Sequence, residues 1–329
     1  MMYYEMFKNV VEEKFLSFMP ESYQDMEVRV KSVNKINQKK DGLYLVRTDG
    51  EKDTFPTIYI NDIYDDYLKT GDLQEALQNA AEAMDRAFKE IPIPKMDIST
   101  AKDNIIFQLV NTAQNEEMLS KMPHREFQDL SIIYRWVADV ADGGMASAAV
   151  SNYLAGELGM DEEQLFKAAV ENTRRILPPV IKSMDQVIYE MLLSDGMPQE
   201  MVDTITGGMP PNQTMWVISN QSRVNGASSM LYEDQLHELA ERIGNDLYIL
   251  PSSVHEVIAV STVMGEPEEL AQMVNEINMD QVELDERLSN QVYHYDKDLR
   301  QITLATDTPN KRLDGAAAEQ YAHEVKQFR

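Results

Sequence analysis

Apolar residues recur at spacings of three and four along several stretches of this chain, and each such stretch predicts a helix with one buried face. Between Asp72 and Glu90, the residues Leu73, Leu77, Ala80, Met84 and Phe88 share a face, and Asp72 followed by Glu75 has the spacing of a capping box. Asp161 with Gln164 repeats that signature before a helix to Leu177, whose stripe is Leu165, Phe166, Ala169, Val170, Thr173 and Ile176 and which Pro178 stops. Helical spacing also covers Ser147 to Leu158 and Met230 to Gly244, the latter with Leu236, Leu239, Ala240 and Ile243 inward. Pro267 suits a first helical position, and the helix after it turns Leu270, Met273, Val274 and Ile277 inward.

A second pattern is short and rich in β-branched and aromatic residues, which predicts strands. VRVKSVNKI and GLYLVRT flank a polar turn region from Gln38 to Gly42, and TFPTIYIND follows as a third strand. With the helix before them, the first hundred residues read helix, strands, helix. IIFQLVN, DLSIIYRWVAD, MWVISN, DLYILPSS and HEVIAVSTV continue the series, and LSNQVYHYD with RQITLAT suggests a terminal hairpin. Strands and helices mixed without strict βαβα alternation predict an α+β protein of two or three small mixed units, not a doubly wound Rossmann sheet. The prolines of 91–97 and the Gly and Pro residues of 195–213 supply the punctuation. The expected units are therefore 1–95, a helix-rich 96–205, an acidic 206–304, and a tail at 305–329, helical or disordered.

The 329 residues are 43% hydrophobic and 26% charged, enough for a buried core. There is no cysteine, so disulfides, thiolate ligands and cysteine nucleophiles are excluded and a reducing interior fits. Glu5, Glu12 and Glu13 interrupt the N-terminal apolar residues, which argues against a signal peptide. No run approaches the roughly 18 apolar residues of a membrane helix, so no membrane association and a cytoplasmic location are expected.

Charge changes the picture more. The net charge is −26, the opposite of what gripping a phosphate backbone requires, so direct nucleic-acid binding is not expected. From Glu233 to Glu286 fourteen acidic residues face one Arg242, a charge of −13 in 54 residues. Glu268, Glu269, Asp285 and Glu286 are the candidate members of an acidic patch for a basic protein partner; simple solubility is the competing reading.

The strings TFPTIYINDIYDDYLKTGD, MWVISNQSRVNGASSMLYEDQL, NDLYILPSSVHEVIAVST and LSNQVYHYD resemble a domain-of-unknown-function family of anaerobic Gram-positive gut bacteria, with LPSSVHE the most specific. The resemblance spans nearly the whole chain and implies a cytoplasmic bacterial protein, often one of several copies. It implies no reaction, cofactor or catalytic residue.

Residue types must supply the chemistry. Ser252, Ser253, His255 and Glu256 hold the elements of a Ser, His, acid triad, but on an extended strand Glu256 points away from the face shared by Ser253 and His255. Turn-forming serines beside a polar strand start are the plainer reading. The segment 219–230, with Arg223 and Asn225, lies between a strand and a helix and could leave backbone donors for an anion. The five histidines are scattered, no H-E-x-x-H occurs, and neither dinucleotide nor P-loop glycine spacing is present, so no metal and no cofactor are expected. The favoured function is a non-enzymatic cytoplasmic binding or regulatory protein. The alternative is a hydrolase-like enzyme with a polar site formed by the 219–230 loop and the 251–256 turn.

Overall fold

Asn37 holds a left-handed backbone, φ 62°, which asparagine tolerates better than most residues. In the computed structural model, which describes residues 2–47, 56–90, 98–141, 144–206, 209–308 and 311–314, it turns the chain between β1 (Met26–Lys35) and β2 (Gln38–Arg47). Lys35 faces Gln38, so the turn is Ile36–Asn37, and the 38–42 segment expected as a turn is strand. A polar composition misleads there because these positions are largely exposed or half-buried.

Two compact units divide the chain, Met1–Lys95 and Met96–Arg329. In the first, α1 (Tyr4–Lys14) precedes the hairpin and β3 (Thr57–Tyr59) joins β2 at the sheet edge. The strand expected over TFPTIYIND is shorter than its composition suggests: from Ile60 the chain is α2 (Ile60–Thr70), because Ile60, Ile63 and Tyr67 recur at helical spacing and are buried. Residues 54 and 55 of that string, the 91–97 boundary and Gly207, Gly208 and Gly143 lie outside the described residues. The helix α3 (Leu73–Glu90) follows Asp72, whose carboxylate accepts from the amides of Gln74 and Glu75. Thr70 Oγ1, not Glu75, accepts from the Asp72 amide, so only half of the expected box forms. Phe7, Phe15, Leu43, Leu45, Ile60, Leu77 and Met84 are central to this core.

The second unit has two antiparallel sheets. In one, β6 (Leu130–Ala141) pairs along one edge with β4 (Ile105–Asn111) and along the other with β5 (His124–Phe127) and then β7 (Gly144–Ala149). A short α4 (Glu116–Leu119) links β4 to β5. The helix expected over Ser147 to Leu158 is thus strand to Ala149 and becomes α5 (Asn152–Leu158) only after Ser151, whose hydroxyl caps it. The Asp161 capping box opens α6 (Glu162–Ile176) as its spacing indicates. Val170 is exposed, and Asn172 is buried in its place, donating to the Lys102 carbonyl.

The other sheet has six strands in the order β13, β12, β10, β11, β9, β8. After β8 (Pro179–Ser183) come α7 (Met184–Ser194) and α8 (Gln199–Ile205), the latter inside the Gly- and Pro-rich 195–213 segment. Strand β9 (Trp216–Asn220) then pairs with β8, so the sheet runs across position 205/206. A 3-10 segment, Gly226–Leu231, takes Met230 and Leu231 from the start of the helix expected from Met230, and α9 (Glu233–Ile243) follows. Leu236, Leu239, Ala240 and Ile243 are all buried.

Period-2 alternation assigns the two faces of this sheet. In β10 (Leu247–Leu250) and β11 (Val257–Ser261), Leu247, Ile249, Val257 and Ala259 join the main core with α9 and β4, while Leu250 and Val260 meet Val274 of α10 (Pro267–Gln281). Helix α10 buries Ala271, Val274 and Asn278, and Ile277, expected inward, is 41% exposed. The Asn278 amide donates to the Ser289 carbonyl and to Asn290 Oδ1, and this polar anchor sets the helix rotation. The terminal hairpin is β12 (Tyr293–Asp296) with β13 (Gln301–Leu304). Beyond it Leu313 is fully buried; 309–310 and 315–329 lie outside the described residues. With every strand pair antiparallel and helices interspersed, the protein is α+β.

Candidate functional site

Strands β9 and β10 both run antiparallel to β11, so the loop that leaves β9 and the turn that leaves β10 emerge at the same end of the sheet. Their meeting is close. The Ala227 amide donates to the Val254 carbonyl at 3.1 Å and Ser219 Oγ to the His255 carbonyl at 2.8 Å. Residues 286–289 run alongside 251–254: the Val254 amide donates to Glu286 O, Leu288 to Ser252 O, and Ser289 to Pro251 O.

Each sequence-derived candidate has a definite place here. Arg223 and Asn225 both adopt φ 54°, a left-handed conformation that costs strain in an arginine. Arg223 is exposed; Asn225 is buried, and its Oδ1 accepts from Gln108 Nε2 at 2.9 Å. Ser253 Oγ accepts from the His255 amide at 3.1 Å, a local turn contact, and Ser252 contributes its carbonyl to Leu288. The His255 ring places Nε2 3.4 Å from Glu286 Oε1, while Nδ1 is buried without a partner. Glu256, the acid adjacent in sequence, is exposed and forms no ion pair among the described residues.

This arrangement holds no nucleophile and base in sequence order. Ser253 Oγ is engaged by backbone, and the acid beside the imidazole is Glu286, thirty residues on from Glu256. Periodicity could not reveal that pairing, because it depends on how 286–289 lies against the turn. Gln108 and Asn111 of β4 were missed as well; Asn111 Nδ2 donates to the Leu288 carbonyl. Their only signal was polarity within an otherwise apolar strand. Two grooves among the described residues lie elsewhere: one of about 180 Å3 beside Gln235, Glu238 and Arg242, and one of about 450 Å3 in the first unit beside Tyr59, Asp62 and Arg86.

The acidic stretch splits in two. Lys and Arg residues that the sequence holds far away pair with carboxylates of its first half: Arg300 grips Glu233 in a fork, Arg174 meets Asp234 at 2.6 Å and Lys297 meets Glu241, while the His294 ring and the Lys297 amide meet Asp246. The second half stays open. Glu266, Glu268, Glu269, Glu276, Asp280, Glu283, Asp285 and Glu286 are all exposed, with no Lys or Arg between 266 and 286. Glu268 and Glu269 occupy the first turn of α10, where the helix dipole favours carboxylates.

Hydrogen bonds from Arg300 and Arg174 hold the Glu233 and Asp234 carboxyls below their usual range. A lowered folded value means that the stabilisation is present above the unfolded pKa, about 4, and is lost as pH falls through the folded one. Acidification from pH 6 to 3 is therefore expected to lower the wild-type melting temperature more than that of an Arg300→Gln variant. Equal falls would show that the fork is thermodynamically silent. Asp129 acts oppositely: burial pushes its carboxyl up, although Ser289 and Tyr293 both donate to it, so its ionised form costs stability near neutrality.

Among the described residues no group of three His, Asp or Glu is placed to hold a metal, and no helix is long and apolar enough to cross a membrane. One family model, described as a family of unknown function (DUF5688), matches residues 4–297. No curated protein and no solved structure matches.

Proposed function

For a chain that belongs to this family of unknown function, we propose a non-enzymatic binding role in which the acidic surface of α10 and the turn after it meets a cationic protein partner. The observation that carries the reading is the run of eight exposed carboxylates from Glu266 to Glu286, none of which forms an ion pair with a Lys or Arg among the described residues; Glu286 meets the His255 ring. Carboxylates left open in this way make the local potential negative and steer a positive partner from about a Debye length away. The alternative, a hydrolase-like site, draws on the same end of the sheet, where the 219–230 loop and the 251–256 turn pack together. Its two segments meet through backbone at a filled junction, which favours the binding reading. A cytoplasmic location belongs to this proposal and rests on composition, since a chain without cysteine needs no oxidising compartment.

Reversing Glu268, Glu269, Asp285 and Glu286 to lysine tests it with an oligolysine probe of about ten residues. Binding to the wild type should be salt-dependent, and the variant should lose at least about tenfold in affinity. Stability should change by only about 0.3 to 1 kcal/mol per residue in the first turn of α10. If the variant binds oligolysine as the wild type does, the surface serves solubility alone.

A further inference from the structure

Helix α7 carries Met184, Val187, Ile188, Met191, Leu192 and Leu193 within eleven residues, yet none of its residues is buried. In α8 only Val202 is. Of the seventeen large hydrophobic side chains exposed among the described residues, six fall between 191 and 215: Met191, Leu193, Met201, Ile205, Met209 and Met215. The Met184 amide donates to the Met215 carbonyl at 2.8 Å and the Met209 amide to Asp185 Oδ2, so the returning 209–215 segment lies beside the first turn of α7. Exposed apolar side chains gathered in this way mark interaction surfaces, and methionine's flexible thioether suits a surface that must fit another helix.

Charge selects the occupant. From Ser183 to Ser222 the chain has no Lys, Arg or His, and it has five carboxylates, Asp185, Glu190, Asp195, Glu200 and Asp203. Lys182 engages Glu190; no ion pair among the described residues involves Asp195, Glu200 or Asp203. A second copy would set these carboxylates against their own kind, and an anionic bilayer would be repelled in the same way. A helix with an apolar stripe flanked by Lys and Arg satisfies both features, and it fits the ridges of a packed helix pair. We propose that the α7–α8 hairpin and the 209–215 segment form a docking surface for a cationic amphipathic helix of a partner protein. This proposal rests on residues other than the carboxylates of α10 and stands or falls independently of the role given to them above.

The probe is a synthetic peptide of about eighteen residues with Leu and one Trp at i, i+3, i+4, i+7 spacing and Lys elsewhere. Its control has the same composition with the apolar positions scattered. Titration calorimetry on the full-length variant reversed at 268, 269, 285 and 286, which lacks the α10 carboxylate cluster, should give one site, at least about tenfold tighter for the amphipathic peptide than for the control. The exposed triple variant Met191→Gln, Met201→Gln, Ile205→Gln should keep its circular dichroism spectrum and lose at least about tenfold in affinity. The variant reversed at 268, 269, 285 and 286 should bind the amphipathic peptide within about threefold of wild type. Equal affinity for both peptides, undiminished binding by the triple variant, or a loss confined to the α10 variant would each overturn the proposal, the last while leaving α10 as the cationic site.

Discussion

Replacing Gly226 with alanine is expected to destabilise the 96–329 unit by about 3 kcal/mol or more, a fall of roughly 6 to 12 °C in melting temperature for a unit of this size. A Cβ there would stand well inside van der Waals contact of Ser219 Oγ and the His255 carbonyl oxygen, and 2.9 Å from the Asn220 nitrogen. Two of those three atoms are backbone, so no rotamer change relieves the clash. The relief must come from separating the end of β9 from the 251–256 turn, which breaks the Ser219 to His255 and Ala227 to Val254 hydrogen bonds. Gly244 supplies the contrast: its φ of 82° ends α9 and nothing lies within 4 Å of a Cβ, so alanine there should cost only about 1 to 2 kcal/mol. Urea melts of both variants decide the matter. A Gly226→Ala loss below about 1 kcal/mol would mean that the junction yields easily and has room for a ligand.

Truncating Leu239 to alanine should cost about 2 to 5 kcal/mol. The side chain is 3% exposed and belongs to the core shared by α9, β9 and β10, where the removed methyl groups leave a cavity that packed neighbours cannot fill. Ile277→Ala on α10 should change stability by less than about 0.5 kcal/mol, because that side chain faces solvent. The pair separates a correct helix face from a rotated one. Comparable losses at 239 and 277 would place Ile277 in the core after all.

Those two helices show what was legible in the sequence and why the rest was not. The stripe of α9 is purely apolar, so spacing alone identifies its buried face. The face of α10 is set by Asn278, a polar residue that periodicity counts as outward but whose amide is spent on Ser289 and Asn290. Helix α2 was hidden for another reason: the β-branched and aromatic content of its first residues matches a strand until Ile60, Ile63 and Tyr67 are read at a spacing of three and four. Around the candidate site, the 251–256 turn and the 219–230 loop could be singled out by composition. The contacts to them from Gln108 and Glu286, and that of Asn111 to the adjoining Leu288, could not, because those residues arrive from remote parts of the chain. Charge counting has the same blind spot, since Arg174, Lys297 and Arg300 neutralise carboxylates more than fifty residues away in sequence.

Ser183 and Trp216 stand opposite one another on neighbouring antiparallel strands, and everything between them, α7 and α8 included, leaves and re-enters the sheet at that single rung. In topological terms the helices are an ornament on a β-hairpin. The ladder from Pro179 opposite Asn220 to Ser183 opposite Trp216 is specified by residues outside the excursion. The excursion can therefore lengthen, shorten or change its apolar stripe without shifting the register of the sheet. A change confined to α7 and α8 leaves the paired strands as they are.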